Sequence, residues 1–321
     1  MKKSSIVLII VASALVALGL IIAFVGACMA KFDFGVFGKK LEVSTQEVSE
    51  SFESINISSS VGKVILLPSI DGKCVVEYSD EPRALHDVSV SDGVLSINEN
   101  DQRKWYNHIG LYTIGSYYTK IYLPEKEYKD LKIKASTGDV QIPNSFSFAN
   151  IDIQLSTGDL ECGASVSGLI KVKTTTGDVE LEGLSASSLD ISVSTGEVDV
   201  ESVNCSGDVN LRVSTGVSSF DDVRCTSLTS VGTTGDIYLE NVIVSGNIDI
   251  ERSTGDVTFE RSDASEIRVK TDTGKVLGTL LTDKVFYTKT DTGRVNVPKS
   301  TRGGICDIQT DTGRIEISVV S

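Results

Sequence analysis

The sequence is poor in the side chains on which most enzyme sites depend. Its 321 residues include two His, two Met, one Trp and five Pro. It contains no His-Glu-x-x-His zinc motif, no Gly-x-Ser-x-Gly nucleophile elbow, no Gly-x-x-x-x-Gly-Lys phosphate loop and no paired-cysteine zinc spacing. The sequence therefore predicts no catalytic residues, no cofactor site and no metal site, and the protein is not expected to be an enzyme.

Positive charge is also scarce. When Lys2 and Lys3 are set aside, residues 31–321 carry 28 basic against 44 acidic side chains, a net charge of −16. A surface of that sign repels phosphate backbones and bare anionic lipid. Nucleic acid is therefore not expected as a partner.

Long hydrophobic runs are absent except for residues 6–30, which carry no charged side chain. A helix of that length, rising about 1.5 Å per residue, exceeds the roughly 30 Å of a membrane's hydrocarbon core. The apolar core of a cleaved signal peptide is shorter, at about 7–15 residues. The prediction is a tail and single transmembrane helix in residues 1–30, a linker in 31–40, and a body outside the cell membrane. Alternatively, Val25-Gly26-Ala27-Cys28 resembles a lipoprotein cleavage box, in which Cys28 is acylated.

What the sequence has in abundance is a repeat built on Thr-Gly. The glycines recur at gaps of 19 or 20 residues, at Gly138, Gly158, Gly177, Gly196, Gly216, Gly235, Gly255, Gly274, Gly293 and Gly313. Apolar and polar residues alternate on both sides of each Thr-Gly, which is the period of a strand with one buried face. Each repeat therefore predicts two short strands joined by a turn, where glycine reaches positive φ without steric cost.

Two positions of the repeat form apolar columns. The second residue after the glycine is apolar in nine of ten repeats, and the seventh residue before it is apolar in all ten. A single repeat cannot bury its own apolar face, whereas stacked copies bury a continuous core. The prediction is an all-β protein in which residues 129–321 form a parallel β-solenoid of about ten coils, each pairing with the next.

Acidic residues follow the glycine in six repeats, from Asp139 to Asp256. A row of weak Ca²⁺ sites is one interpretation. The calcium-binding pattern Gly-Gly-x-Gly-x-Asp is absent, and carboxylates about 4.8 Å apart in water repel each other by only about 1 kcal/mol. Solvated turns without metal are therefore predicted.

Two cysteines, Cys205 and Cys225, share one position of adjacent repeats. Buried free cysteine behaves as a small apolar side chain, which is the prediction for both. A disulfide between neighbouring coils is the alternative, since the Cα separation of adjacent strands falls within the range for such a bond.

Residues 41–128 lack the Thr-Gly period but contain strand-like runs separated by Asp71-Gly72 and Asp92-Gly93, which is a hairpin signal. They are predicted to form a β-rich N-terminal cap over the first open edge of the solenoid. Aromatic residues cluster towards the end of this region. They form either a patch for sugar rings or peptide or packing between the cap and the first coil. The candidate patch residues are Trp105, Tyr106, Tyr112, Tyr117 and Tyr118.

Several segments together resemble the bacterial "putative adhesin" family. They are the apolar N-terminal run, residues 92–97 (DGVLSI), residues 121–124 (IYLP) and the Ser-Thr-Gly-Asp-Val turns. The likeness extends over nearly the whole chain. It implies a membrane-tethered β-solenoid and supplies no catalytic residue to carry over.

The sequence thus predicts a non-catalytic binding protein of the cell envelope, held in the cell membrane by one helix, whose partner is an envelope protein or a glycan. One alternative is an envelope-stress scaffold or signalling component that binds another membrane protein. A more remote one is a carbohydrate-active β-helix enzyme. The last repeat ends at Ser321 without a polar capping segment, so an open edge and end-to-end self-association are predicted there.

Overall fold

The computed structural model describes residues 12, 15–22, 24–25, 41–80, 84–101 and 117–320. Residues 12, 15–22 and 24–25 are helical, and no helix within the described part of the chain is long and apolar enough to span a membrane. Much of the predicted transmembrane segment, the linker 31–40 and Cys28 lie outside the described residues. The chain divides into two compact units, residues 1–42 with 103–115 and residues 43–102 with 116–321. Nearly all of the β-structure belongs to the second unit.

Strands account for most of that second unit. The first seven are β1 (Glu42–Val48), β2 (Ser54–Val61), β3 (Lys63–Pro68), β4 (Cys74–Asp80), β5 (Ala84–Ser91), β6 (Val94–Asp101) and β7 (Tyr118–Leu123). The repeat region contains β8 (Glu127–Thr137), β9 (Val140–Ile142), β10 (Ser147–Thr157), β11 (Leu160–Cys162), β12 (Ser165–Val166), β13 (Leu169–Thr176), β14 (Val179–Glu182), β15 (Ser185–Ala186), β16 (Ser188–Thr195), β17 (Val198–Glu201), β18 (Asn204–Cys205), β19 (Asp208–Thr215), β20 (Ser218–Asp221), β21 (Arg224–Cys225), β22 (Ser227–Thr234), β23 (Ile237–Glu240), β24 (Ile243–Thr254), β25 (Val257–Thr273), β26 (Val276–Leu280), β27 (Lys284–Thr292), β28 (Val295–Asn296), β29 (Gly304–Thr312) and β30 (Ile315–Val319).

Each repeat contributes a long strand before Thr-Gly and a short strand after it. The long strands pair in parallel with one another, as Ile151 does with Leu131 and Ile170. The short strands do the same in a second sheet, where Leu160 pairs with Val140 and Val179. We call these the long-strand sheet and the short-strand sheet. The predicted parallel β-solenoid of about ten turns is confirmed.

The core consists of the predicted apolar columns. The second residue after the glycine is buried in nine of ten repeats, and the exception, Val295, is 44% exposed. The seventh residue before the glycine is likewise buried in nine, and the tenth, Phe286, is partly buried against the core. Burial of one such aliphatic side chain stabilises the fold by about 1.5–3 kcal/mol. Both exceptions fall in the same repeat, because that coil lies at the end of the stack.

The turn glycines are held by a ladder between coils. The amide of Gly158 donates to the carbonyl of Thr176 at 3.0 Å, and Gly177 donates to Thr195 at the same distance. The predicted positive φ occurs in the first seven turns but not at Gly274, Gly293 or Gly313. Those three still need glycine, because a Cβ there would lie 1.8–1.9 Å from the carbonyl oxygen of the neighbouring turn glycine. Close approach of the coils, rather than backbone conformation, is thus the requirement common to all ten turns.

At the N-terminal end, residues 54–68 form a coil that the repeat period does not reveal. Strand β2 pairs in parallel with β8 on one side and β6 on the other, and β3 pairs likewise with β9 and β7. The turn glycine of this coil is Gly62, whose carbonyl oxygen would lie 2.0 Å from a Cβ at Gly138. It escaped the Thr-Gly pattern because Val61 precedes it.

Beyond that coil, antiparallel strands cover the N-terminal edge. Strand β5 pairs antiparallel with β6 and β4 pairs antiparallel with β7. The predicted hairpin at Asp92-Gly93 is confirmed, since both residues have positive φ and join β5 to β6. Asp71-Gly72 instead leads from β3 to β4, which both pair with β7.

At the C-terminal end, the stacking order differs from the order along the chain. Strands β29 and β30 pair on one side with β25 and β26 and on the other with β27 and β28. The expectation that each repeat stacks on the next is therefore wrong for the last two repeats. The open edge predicted at the final strands is also misplaced, because β27 and β28 are the outermost strands.

The five described cysteines are free and buried, so the alternative of a Cys205–Cys225 disulfide is not realised. Burial raises the pKa of the Cys162, Cys225 and Cys306 thiols to about 12. Because the thiolate is the reactive form, we expect none of the five to react with a thiol reagent in the native protein at mildly alkaline pH. All should react after unfolding in guanidinium.

Reagent titration followed by peptide mapping checks this expectation. Ser167→Cys, which places a thiol at an exposed position of the solenoid, is the positive control and should react at once. Rapid native modification of any of the five would contradict the buried columns.

Candidate binding surface

The outer face of the short-strand sheet carries a continuous row of carboxylates, which we call the acidic strip. In the central short strands, such as β14, β17 and β23, the third and fifth residues after the glycine point outward, because the second and fourth are buried. The strip consists of Glu161, Glu180, Glu182, Asp199, Glu201, Asp221, Glu240 and Glu260.

The register of the sheet places these carboxylates directly opposite one another. Glu161 pairs with Glu180, Glu180 with Asp199, Glu182 with Glu201, Glu201 with Asp221, Asp221 with Glu240, and Glu240 with Glu260. Like charges opposite each other destabilise a sheet. The strands of the short-strand sheet from β9 to β23, namely β9, β11, β14, β17, β20 and β23, contain no Lys or Arg to compensate. The strip therefore forms at a cost to the stability of the sheet.

The electrostatic environment of the strip is visible in two of its members. Burial, followed by the charges of Glu161 and Glu182, raises the pKa of Glu180. The neighbouring carboxylates of Glu260 and Asp221 raise the pKa of Glu240. In both cases the protein disfavours the charged form, so a bound cation would relieve repulsion that the fold leaves in place.

The outer face of the long-strand sheet is different, because its charges are paired. Arg212 lies 3.2 Å from Asp190, Arg268 lies 3.4 Å from Asp249, and Lys270 lies 3.6 Å from Glu251. Acidic and basic residues therefore neutralise each other on this face.

The turn carboxylates, which the sequence offered as calcium ligands, are hydrogen-bond acceptors between coils. Asp139 Oδ1 accepts from the amide of Asp159 at 3.2 Å, Asp159 Oδ1 from Asp178 at 2.9 Å, and Asp178 Oδ1 from Glu197 at 2.7 Å. Among the residues that the structure describes, no three His, Cys, Asp or Glu side chains are grouped to hold a metal ion. The turn acids thus have a structural role, since they join successive coils.

An open groove of about 460 Å³ lies at the N-terminal end of the strip. Glu161, Glu180 and Glu182 line one part of it, and Ile65, Leu67 and Pro143 line another. Gly163 occupies the outward position between Pro143 and Glu182, and without a side chain there the surface is indented. The groove can therefore receive a ligand that carries positive charge beside an apolar group.

Tyrosines border the groove on strand β7, which pairs with β3. Tyr122 lies opposite Leu67 and Lys120 lies opposite Ile65. The Lys120 ammonium is 4.5 Å from the centre of the Tyr118 ring and 3.4 Å from Glu77. We call Tyr118, Tyr122, Ile65 and Leu67 the aromatic patch.

The sequence-predicted ligand patch is placed only in part. Tyr118 belongs to the aromatic patch, while Tyr117 precedes β7 and its carbonyl accepts from the amide of Lys63 at 3.0 Å. Trp105, Tyr106 and Tyr112 lie outside the described residues. Tyr128, from the same cluster, is buried beside Phe52 and Phe148, as the packing interpretation expects. The acidic strip does not follow from the Thr-Gly turns themselves, since its signal is the acidic third or fifth residue after the glycine in the central repeats.

Three solved structures are similar to this chain over most of its length. A putative adhesin from Bacteroides fragilis is 15% identical over 88% of this chain and 100% of its own, with a TM-score of 0.47. A putative lipid binding protein from Parabacteroides distasonis is 17% identical over 75% and 96%, with a TM-score of 0.49. A putative adhesin from the same species is 14% identical over 87% and 99%, with a TM-score of 0.43.

No curated protein matches the sequence. A family model, Toastrack DUF4097, matches residues 52–216, from the coil of β2 and β3 to the turn after β19. The resemblance to the putative adhesins is confirmed. Because the match spans more than half of the 321 residues, this chain belongs to the Toastrack DUF4097 family.

Proposed function

We propose that this protein is a non-catalytic binding protein of the cell envelope, which uses the acidic strip, the groove and the aromatic patch to bind a cationic partner. The N-terminal hydrophobic segment tethers it to the cell membrane as a single span, and the solenoid lies outside the membrane. Its partner is an envelope protein with a basic segment or a glycan that carries amino groups.

The observation that carries this proposal is the uncompensated charge of the strip. Six like-charge pairs in register weaken the sheet, whereas the other sheet pairs its charges. If only stability mattered, acidic and basic side chains would be expected to alternate on the outer faces of both sheets. A one-signed face attracts an oppositely charged partner and orients it during approach.

The aromatic patch adds apolar contact area to the electrostatic attraction of the acidic strip. Tyrosine rings beside a groove can stack on sugar rings or on peptide side chains. Since Ile65 and Leu67 of the patch line one side of the groove and Glu161, Glu180 and Glu182 line the other, one ligand can contact both.

Neutralising four carboxylates of the strip is expected to weaken binding strongly. In the full chain, the variant Glu180→Gln/Glu182→Gln/Asp199→Asn/Glu201→Gln should bind a decalysine peptide, or a chitosan oligosaccharide, about tenfold more weakly at low salt. Binding by the unsubstituted protein should fall as salt is added. Titration calorimetry at two salt concentrations measures both effects.

A matched control removes four charges from the other sheet. Asp152→Asn/Asp190→Asn/Asp249→Asn/Asp307→Asn removes the same four negative charges from the total but leaves the strip intact, and it should change affinity by less than about threefold. Equal losses in the two variants would show that net charge, rather than the strip, attracts the ligand. Absence of binding to both probes by the unsubstituted protein would refute the proposed surface.

A further inference from the structure

The outermost coil of the solenoid has an unpaired edge. Strand β27 pairs only with β29, and β28 pairs only with β30, among the strands that the structure describes. Strand β27 is nine residues long, and its outer side carries backbone amides and carbonyls without a strand partner. An edge of this kind is a template for another strand.

This edge has few of the features that block strand addition. Strand β28 is two residues long and is soon followed by Pro298, which closes the short-strand side. Strand β27 contains no proline, and its pairing with β29 shows no register shift. Tyr287 is 59% exposed and Val295 is 44% exposed. The core column that Val295 continues is thus open at this end.

The opposite end of the stack is built differently. There, β4 and β5 run antiparallel to β7 and β6, so the parallel stack of coils does not continue through that end. The matching edge for β27 is the same strand of a second copy, related by a twofold axis and antiparallel to the first. Such an isologous contact closes at a dimer.

Charge on β27 favours that self-pairing. Lys289 and Asp291 both point outward and lie 3.6 Å apart on the exposed surface. In an antiparallel pair centred on Thr290, Lys289 of each copy lies opposite Asp291 of the other. Cross-strand pairs of opposite charge stabilise a sheet, and like pairs destabilise it.

From these observations we propose that two copies of this chain associate through antiparallel pairing of β27, so that the long-strand sheet runs continuously across the dimer. The contact is remote in the fold from the acidic strip and the groove. Its loss would therefore leave the proposed ligand binding intact, and failure of either proposal does not decide the other.

A charge-swap series tests the dimer. The full chain in detergent micelles is examined by sedimentation equilibrium, and the dimer dissociation constant is measured for each variant. Lys289→Asp and Asp291→Lys each create like-charge pairs across the twofold axis and should raise that constant about tenfold. The double variant Lys289→Asp/Asp291→Lys restores opposite charges and should return it to within about twofold.

Lys173→Asp, at the same position of a central coil, is the matched control and should have no effect. A monomeric unsubstituted protein would overturn the proposal. So would a dimer that both single variants leave unchanged, since association would then arise elsewhere, for example through the N-terminal segment. Circular dichroism of each variant confirms that the solenoid is folded.

Discussion

Replacing Gly177 by alanine is expected to cost more than about 4 kcal/mol of unfolding free energy. A Cβ at this position would lie 2.1 Å from the carbonyl oxygen of Gly158, and φ is +136°. Neither coil can move away, because the amides of Gly158 and Gly177 are hydrogen-bonded to the next coil at 3.0 Å. The midpoint temperature of thermal unfolding, measured by circular dichroism, should fall by roughly 10 °C or more.

Gly183 provides the matched control for this variant. Its φ is +63°, but a Cβ there would meet no atom within 4 Å. Gly183→Ala should therefore cost only the backbone term of about 1–2 kcal/mol. If the two alanine variants were equally stable, the close approach of neighbouring coils would not be the reason why glycine recurs at this position of every repeat.

The repeat region was predictable because its information is local and redundant. Ile151, Ile170 and Leu189 occupy the same position of successive repeats, and each points inward for the same reason. A single substitution such as Ser218 in the other column does not obscure the pattern, and the structure buries Ser218 with its neighbours. The ten Thr-Gly repeats therefore predict the two buried apolar columns, the turn between the strands and the parallel direction of both sheets.

The order of the coils was not predictable from the same signal. Repeats with identical columns can stack in more than one order, since Val276 meets an equivalent apolar residue in Val295 or in Ile315. In the structure, Val276 pairs with Ile315, and Val295 pairs with the other side of Ile315. The coil around Gly62 was not predictable for a related reason, because residues 69–126 separate it from β8 and β9 of the first repeat, and the period does not cross that segment.

The candidate site was only partly predictable, because it depends on register across coils. Glu182 and Glu201 are unremarkable along the chain, and they become a like-charge pair only when β14 and β17 align. The aromatic patch is similar, since Tyr122 and Leu67 meet through pairing of β7 with β3. Composition showed that aromatic residues were clustered, but it could not show which of them share a face.

The inserted final coil requires the chain to pass over one level of the stack. Strand β26 ends at Leu280 in one level, and Lys284 begins β27 two levels away, with β29 between them. At this crossing the Lys284 ammonium lies 2.5 Å from Asp263 Oδ1. Lys284 is 2% exposed and Asp263 is 8% exposed. The pair joins β27 to β25, two levels away in the stack.

Replacing Lys284 by alanine is therefore expected to destabilise the C-terminal coils by about 3–5 kcal/mol. The Asp263 carboxylate would stay buried with the amide of Ala264 as its remaining donor, at 2.8 Å. Guanidinium unfolding measures the loss. Hydrogen exchange should locate it in β27 and β29 rather than in the central coils, because each coil depends mainly on its neighbours.

Two further variants separate the buried charge from the side chain that carries it. Asp263→Leu/Lys284→Met removes both charges at similar volume and should cost less than about 1.5 kcal/mol, because no ion is left unpaired. Lys289→Ala, which breaks the exposed pair with Asp291, should change stability by less than about 1 kcal/mol. If Lys284→Ala were as mild as Lys289→Ala, the ion pair would not secure the crossing, and the inserted coil would have to be held by its apolar columns alone.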